Sequence, residues 1–348
     1  MRVAVAALLY VALPLALAAE GTDCTLEDQE FDWTFPPADT ARDFLRSRTG
    51  PSSCQCRREA LLVYDSVRRT LSTNSAPSVM IGKAGANEFS AIVSYFNKKS
   101  ISPSPAMFYE AGVFPLTPYH LEIFARVYTE SIKTFDFAVR WQLPMKQLSA
   151  DHFYEGVKHQ LQSLEAQWPW FWNRPFSELF DNKSVLVVSP FARYIIEQYN
   201  RSRGCIFRDK KVLPLFSSLQ TVESPLPRFN VSVSDAKDES KASALFDNST
   251  WSSNLLDLQK KVGNVSFDVA IIGVGAYGAP LGAFIKKRMA PGKVVLVLGG
   301  NVGPLFGIKA RRFDSREMYK GYFYNDCWLR MALPEGAEKM EGAAYWRL

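Results

Sequence analysis

One apolar run that ends in a glycine-patterned turn restricts the fold of this chain more than any other stretch. Phe267-Asp268-Val269-Ala270-Ile271-Ile272 passes directly into Gly273-Val274-Gly275-Ala276-Tyr277-Gly278, and Pro280 to Met289 then carries a helical pattern. In a GxGxxG turn between strand and helix, glycines let the backbone turn tightly and approach a phosphate that rests on helix amides. Three uses stay open: a dinucleotide, a nucleotide or nucleotide-sugar diphosphate, or close packing of helix on strand. A dinucleotide site also needs an acid about 20 residues on, to hold the ribose hydroxyls. Here the next strand, Lys293 to Leu298, ends in Gly299-Gly300-Asn301 instead, which weighs against an NAD(P)-dependent oxidoreductase.

The surrounding pattern repeats the same unit. Ser78 to Ile81, Phe135 to Trp141, Ser184 to Val188 and Leu219 to Glu223 read as strands, with Lys211 to Phe216 as a further candidate. Gln55 to Leu71, Asn87 to Asn97, His120 to Thr134, His152 to Ala166, Phe191 to Arg201 and Trp251 to Val262 read as helices. Strands alternating with helices predict an α/β fold: a Rossmann-like, mostly parallel sheet with helices on both faces, plus a smaller N-terminal helical and αβ lobe. The expected divisions are 1-19, a signal segment; 20-76, a helical extension; 77-181, an α/β lobe; and 182-348, the Rossmann-like lobe with a polar surface insertion at 230-248.

The amino terminus points to the secretory pathway. Met1-Arg2 precedes an apolar run from Val3 to Leu17, and Ala16 to Gly21 reads as a small-residue cleavage site, the pattern of a signal peptide. An uncleaved signal anchor is the competing reading, and only then would a membrane be a partner. Asn-x-Ser/Thr occurs at Asn182, Asn200, Asn230, Asn248 and Asn264, a set of glycosylation acceptors suited to the ER or Golgi lumen or the extracellular space. There Cys24 is expected to pair with Cys54 or Cys56, and the odd total of 5 Cys leaves at least one thiol unpaired. With 41 Lys+Arg against 35 Asp+Glu the net charge is only +6, and no dense basic stripe accompanies it, so nucleic acid is not an expected partner.

In a parallel sheet, ligands bind outside the carboxyl ends of the strands, so Gly273 to Gly278 and Gly299, Gly300 and Asn301 belong to one rim. Lys309, Arg311 and Arg312 follow closely and would suit an anionic leaving group, or else form a solvated basic loop. Together with Gly273, Gly275, Tyr277 and Gly278 they are the candidate diphosphate-binding residues. Trp168-Pro169-Trp170-Phe171-Trp172 is either a sugar-stacking platform or a plug of core. The three histidines, at 120, 152 and 159, fall in stretches read as helical, and no HExxH or GxSxG occurs.

Phe108-Tyr109-Glu110-Ala111-Gly112-Val113-Phe114-Pro115, the Val185 to Phe191 strand, Gly273 to Gly278, Gly299-Gly300, Phe306 to Phe313 and Tyr324 to Trp328 recur as a set. Over about Ser78 to Trp346 the chain resembles a largely uncharacterised group of polysaccharide-associated proteins, and more distantly it is similar to GT-D-fold glycosyltransferases. That resemblance implies a nucleotide-sugar donor, a glycan acceptor and, as cofactor, Mn or Mg. In the GT-D pattern an RxGDGE-like turn supplies an Asp-x-Glu pair for metal and sugar-nucleotide handling. The matching stretch is Lys83-Ala84-Gly85-Ala86-Asn87-Glu88, with Lys83 for the Arg and Ala86 for the Asp. Glu88 and Asn87 are the implied catalytic residues and Glu88 the implied metal ligand. Without a resemblance, Glu88 is also a first-turn acid favoured by the helix dipole.

Overall fold

Near-continuous apolar runs bury both faces of a strand, and here they assemble one parallel sheet. The structure, a computed structural model, describes residues 53–346 apart from 74, 99, 141–150, 315 and 317–318. Its strands are β1 (Val79–Gly82), β2 (Phe137–Val139), β3 (His159–Leu161), β4 (Ser184–Ser189), β5 (Ser218–Glu223), β6 (Val269–Ile272) and β7 (Val294–Val297). They pair, all parallel, in the order β3-β2-β1-β7-β6-β4-β5. β1, β2, β6 and β7 are buried throughout, whereas the edge strands β3 and β5 are largely open.

The helices are α1 (Ser53–Ser72), α2 (Ala86–Lys98), α3 (Pro118–Ile132), α4 (Ala192–Ile206), α5 (Val233–Lys237), α6 (Glu239–Leu245), α7 (Trp251–Gly263), α8 (Gly278–Arg288) and α9 (Val302–Leu305). α3, α7 and α8 pack on one another, with α8 against β1 and β7. α1 packs on β1 and β7 too, against the short turns Glu165–Gln167 and Phe176–Phe180. Right-handed crossovers explain the layering. The steps β1 to β2, β5 to β6 and β6 to β7 run one way along the sheet, and β4 to β5 runs the other way. α4 therefore lies on the face opposite α3, α7 and α8, and the α/β, Rossmann-like sheet has helices on both faces.

Several expectations change. Residues 77-181 and 182-348 contribute to one continuous sheet, because β1 pairs with β7 along its whole length. The 152–166 stretch is not a helix: two 3-10 turns flank β3, so His159 stands on an edge strand. Residues 211–216 form no strand, and the chain reaches β5 through turns. Residues 230–248, mostly at the surface, fold into α5 and α6, which bury Ala236 and Ala242; Phe246, just after α6, is buried and stacks on Phe114 at 4.4 Å. Trp168 and Trp170 are buried against each other and Phe171, Trp170 donates to the Tyr319 hydroxyl, and Trp172 is buried with its ring nitrogen donating to the Glu165 carbonyl, so their faces are closed to a sugar.

The cysteine expectation changes in part: Cys56 drops out as a partner for Cys24, which leaves Cys54. Cys56 is a free, buried thiol, not a disulfide partner; burial pushes it up to about 12, and the nearby Glu165 and Glu59 add to the rise. Cys205 and Cys327 form a disulfide, tying the end of α4 to the C-terminal region across 122 residues. Cys24 lies outside the described residues. A structural disulfide belongs to an oxidising compartment. Among the described residues no helix is long and apolar enough to cross a membrane.

Candidate functional site

The connection after β4 leaves toward α4, while the one after neighbouring β6 leaves toward α8 on the opposite face. Divergence of adjacent connections opens a crevice at the carboxyl ends of the strands, the usual ligand site of such sheets. A cleft of about 280 Å³ lies there. Lys83 and Gly85 after β1, Gly299 and Gly300 after β7, Gly273 and Gly275 after β6, Phe191 after β4 and Ser224 after β5 line it in spatial order. Glu110, Arg312, Glu341 and Tyr345 complete the walls. The opposite, amino ends of the strands are structural. Asp136 accepts from the Met80 amide and pairs with Lys286 and Lys158. Burial alone would raise its pKa, but these partners more than offset that and hold it below the usual carboxylate range.

The cleft is charged at its β1–β7 end. Glu88, in the first turn of α2, is buried and folds back over Gly85, where a β-carbon would lie 2.0 Å from Glu88 Oε2. Its carboxyl is raised, chiefly by burial; its own backbone amide and Lys83 pull the other way, while Glu341 and Glu110 add to the rise. The Lys83 ammonium is lowered to about 8, by burial first and by Arg312 second. Arg312 donates to Asn301 Oδ1 at 3.1 Å and to the Tyr345 hydroxyl at 3.2 Å, and lies 3.8 Å from Glu341 Oε2. Burial also raises Glu110, whose carboxylate accepts from the Asn87 side-chain amide.

The expected diphosphate residues divide. Of the three cations only Arg312 lines the cleft. Lys309 sits over the Tyr324 ring at 5.3 Å, and Arg311 is exposed and donates to the Gly342 carbonyl, so both brace the C-terminal segment instead. Asn301 lies buried behind the rim, orienting Arg312. Tyr277 lines the cleft beside Gly278, although it is buried and stacks on Trp251 at 5.9 Å.

The glycines of the fingerprint are packing contacts as much as rim. A β-carbon at Gly273 would meet the Gly299 carbonyl at 2.7 Å, and one at Gly278 would meet Val297 at 3.1 Å. Gly275, at φ +51°, abuts the Ala111 carbonyl, which also accepts the Ala276 amide at 2.9 Å. The Glu110-Ala111 turn thus occupies the space before α8 where a pyrophosphate would rest in a dinucleotide site.

The resemblance implied a divalent cation, and the residues present do not fit one. A diphosphate-bridging cation takes several oxygen ligands. Among the described residues no three Asp, Glu, His or Cys side chains are grouped to hold a metal, and Asn87 is engaged with Glu110. Glu110, Glu341, Tyr345 and Ser224 were not sequence candidates. Only Glu110 carried a signal, inside the recurring Phe108 to Pro115 motif. All five sequon asparagines are exposed.

No family model, curated protein or solved structure matches the chain.

Proposed function

We propose that the protein is a glycosyltransferase that takes a nucleotide-sugar donor and a glycan acceptor in this cleft. One observation carries the reading: a buried carboxyl, Glu88, stands with two cations, Lys83 and Arg312, at the carboxyl ends of β1 and β7. In that reading Glu88 is the base. A carboxyl raised above its ordinary range is a better proton acceptor than an unshifted one once ionised. The acceptor hydroxyl gives its proton to Glu88 as its oxygen bonds to the sugar's anomeric carbon. The bond from that carbon to the diphosphate oxygen breaks, and its electron pair leaves with the diphosphate. Lys83 and Arg312 stabilise that developing charge, and Tyr345 and Asn301 hold the guanidinium in place. No step is assigned to a metal, since the donor set for one is lacking.

The test is hydrolysis of nucleotide sugars by the purified protein, with thermal stabilisation by nucleoside diphosphates, each with and without manganese. If both are absent, the reading is wrong. A non-catalytic binding protein is the second reading, favoured by Ala86 where the resembling family carries an acid. It expects stabilisation by nucleotides without turnover, before and after Ala86→Asp.

The same proposal places the protein in the lumen of the secretory pathway or outside the cell. The N-terminal signal pattern, the Cys205–Cys327 bond and five exposed sequons support this location. Protein from secreting cells should lose mass on treatment with an N-glycan amidase; unchanged mobility would count against it.

A further inference from the structure

The two ends of the cleft differ in chemistry, and each holds a polar group with nothing to bind. At the β1–β7 end the Arg312 Nε is buried without a partner, although both Nη groups are engaged. At the far end Ser224, just after β5, is buried at 4% exposure, and its Oγ has no partner either. Around that hydroxyl the lining is apolar: Pro190 and Phe191 from the end of β4, and Pro225 and Leu226 beyond β5. A hydroxyl buried unpaired among apolar walls is costly, so it points to a ligand atom that completes it. Five strand ends lie in a row from β5 to β1. Four spacings of about 4.8 Å put the orphan hydroxyl roughly 19 Å from the charged end.

We infer that Ser224 hydrogen-bonds the nucleobase of the donor, which lies against Phe191 and Leu226 while its diphosphate reaches Arg312 and Lys83. This rests on the nucleotide-sugar reading above and adds the donor's orientation and a specificity-determining residue. A heterocycle fits both demands of the far end, with an apolar face for the Phe191 wall and a polar edge for the hydroxyl. The prenyl chain of a lipid-linked sugar donor would satisfy the walls and leave Ser224 unpaired. A bare sugar phosphate would span only one end.

The experiment titrates the full-length mature protein and its Ser224→Ala variant with UDP, GDP, ADP, inorganic pyrophosphate and a short-chain prenyl diphosphate. Wild type should prefer one nucleobase. Ser224→Ala should weaken that nucleoside diphosphate about tenfold, the effect of one neutral hydrogen bond of about 1.4 kcal/mol. Pyrophosphate affinity should stay unchanged, which a general loosening of the cleft would not permit. Ser224→Thr, which keeps the hydroxyl, should bind closer to wild type than Ser224→Ala. An equal loss on pyrophosphate, no loss on any nucleotide, or tighter binding of the prenyl diphosphate than of every nucleotide would overturn the inference. Should turnover of a nucleotide sugar persist with an unchanged KM in Ser224→Ala, this inference falls and the glycosyltransferase reading stands. If wild type neither binds nor turns over any nucleotide compound, both fall together.

Discussion

Gly85 leaves open the space that the Glu88 carboxylate occupies: a β-carbon at 85 would sit 2.0 Å from Oε2. The obstructing atom is the far end of a flexible side chain, so Gly85→Ala is expected to move the carboxylate rather than unfold the chain. Turnover should fall about 100-fold, the typical worth of a positioned base, with the melting temperature nearly unchanged. Gly275→Ala is the contrasting case. There the obstruction is the Ala111 carbonyl at 2.8 Å and φ is +51°, so the substitution should cost about 1–3 kcal/mol of stability. Thermal melts and initial rates of the two variants separate these outcomes; a large stability loss in Gly85→Ala would contradict the account.

The charged end of the cleft sets a pH dependence with two limbs. Glu88 must be ionised to act as base and Lys83 protonated to hold the diphosphate, and Arg312, Glu341 and Glu110 face the same space. The ratio kcat/KM should rise as Glu88 loses its proton and fall near pH 8 as Lys83 loses its own. Lys83→Arg keeps the charge at all working pH values, so the alkaline limb should move well above pH 8 or vanish. An alkaline limb unchanged in Lys83→Arg would assign it to another group.

The same two groups act on stability in opposite senses. Glu88 is raised from 4.5, so its contribution is fully present below about pH 4.5 and is lost as pH rises through the folded value. Lys83 is lowered from 10.5 to about 8, so its contribution is present above about pH 10.5 and is lost as pH falls toward 8. Lys83→Met should therefore flatten the stability profile between pH 8 and 10.5, which denaturant midpoints across that range would register.

Sequence carried the sheet further than the site. Val185 to Val188, Val269 to Ile272 and Val294 to Val297 are unbroken apolar runs, legible because a central parallel strand is buried on both faces. β3, with His159 and Gln160 exposed at the edge, has no such run and reads as something else. The rim was legible at the glycines, where a backbone must turn or pass close to another chain segment. Glu110, Glu341 and Ser224 reach the cleft from separate loops, and no local spacing records that meeting. Lys309, Arg311 and Arg312 are near neighbours in sequence, yet the 3-10 turn at Arg311–Phe313 helps send only Arg312 inward.

Reduction or removal of the Cys205–Cys327 bond should weaken the fold around the end of α4. The bond closes a loop of 122 residues, and loops of that order gain about 4–5 kcal/mol in the chain-entropy model. Loss of a native disulfide typically costs about 2–5 kcal/mol. Gln198 reinforces the junction by donating to the Gly307 carbonyl at 3.1 Å and the Cys327 carbonyl at 2.9 Å. A double Cys205→Ser and Cys327→Ser variant should show a clearly lower denaturation midpoint, and an unchanged one would mean that the packing alone holds this junction.

Glu341 is held in the cleft wall by a strained strap. Glu341, Gly342 and Ala343 have φ of +47°, +61° and +64°, and two of these residues carry a β-carbon. Such backbone persists only where its surroundings impose it. Arg311 grips the Gly342 carbonyl, the Arg312 amide donates to the Ala344 carbonyl at 3.3 Å, and Trp346 is buried against Phe191 and Phe229. The strap thereby places a carboxylate beside Arg312 and Glu88, where it competes with an incoming anion and helps to raise the Glu88 carboxyl. Glu341→Gln should accordingly tighten pyrophosphate and nucleoside diphosphate binding by about two- to fivefold, the scale of a half-exposed ion pair. It should also shift the acid limb of kcat/KM to lower pH, because one of the charges that disfavours ionised Glu88 is gone. Weaker anion binding, or an acid limb that moves upward, would show that Glu341 supports the ligand instead of opposing it.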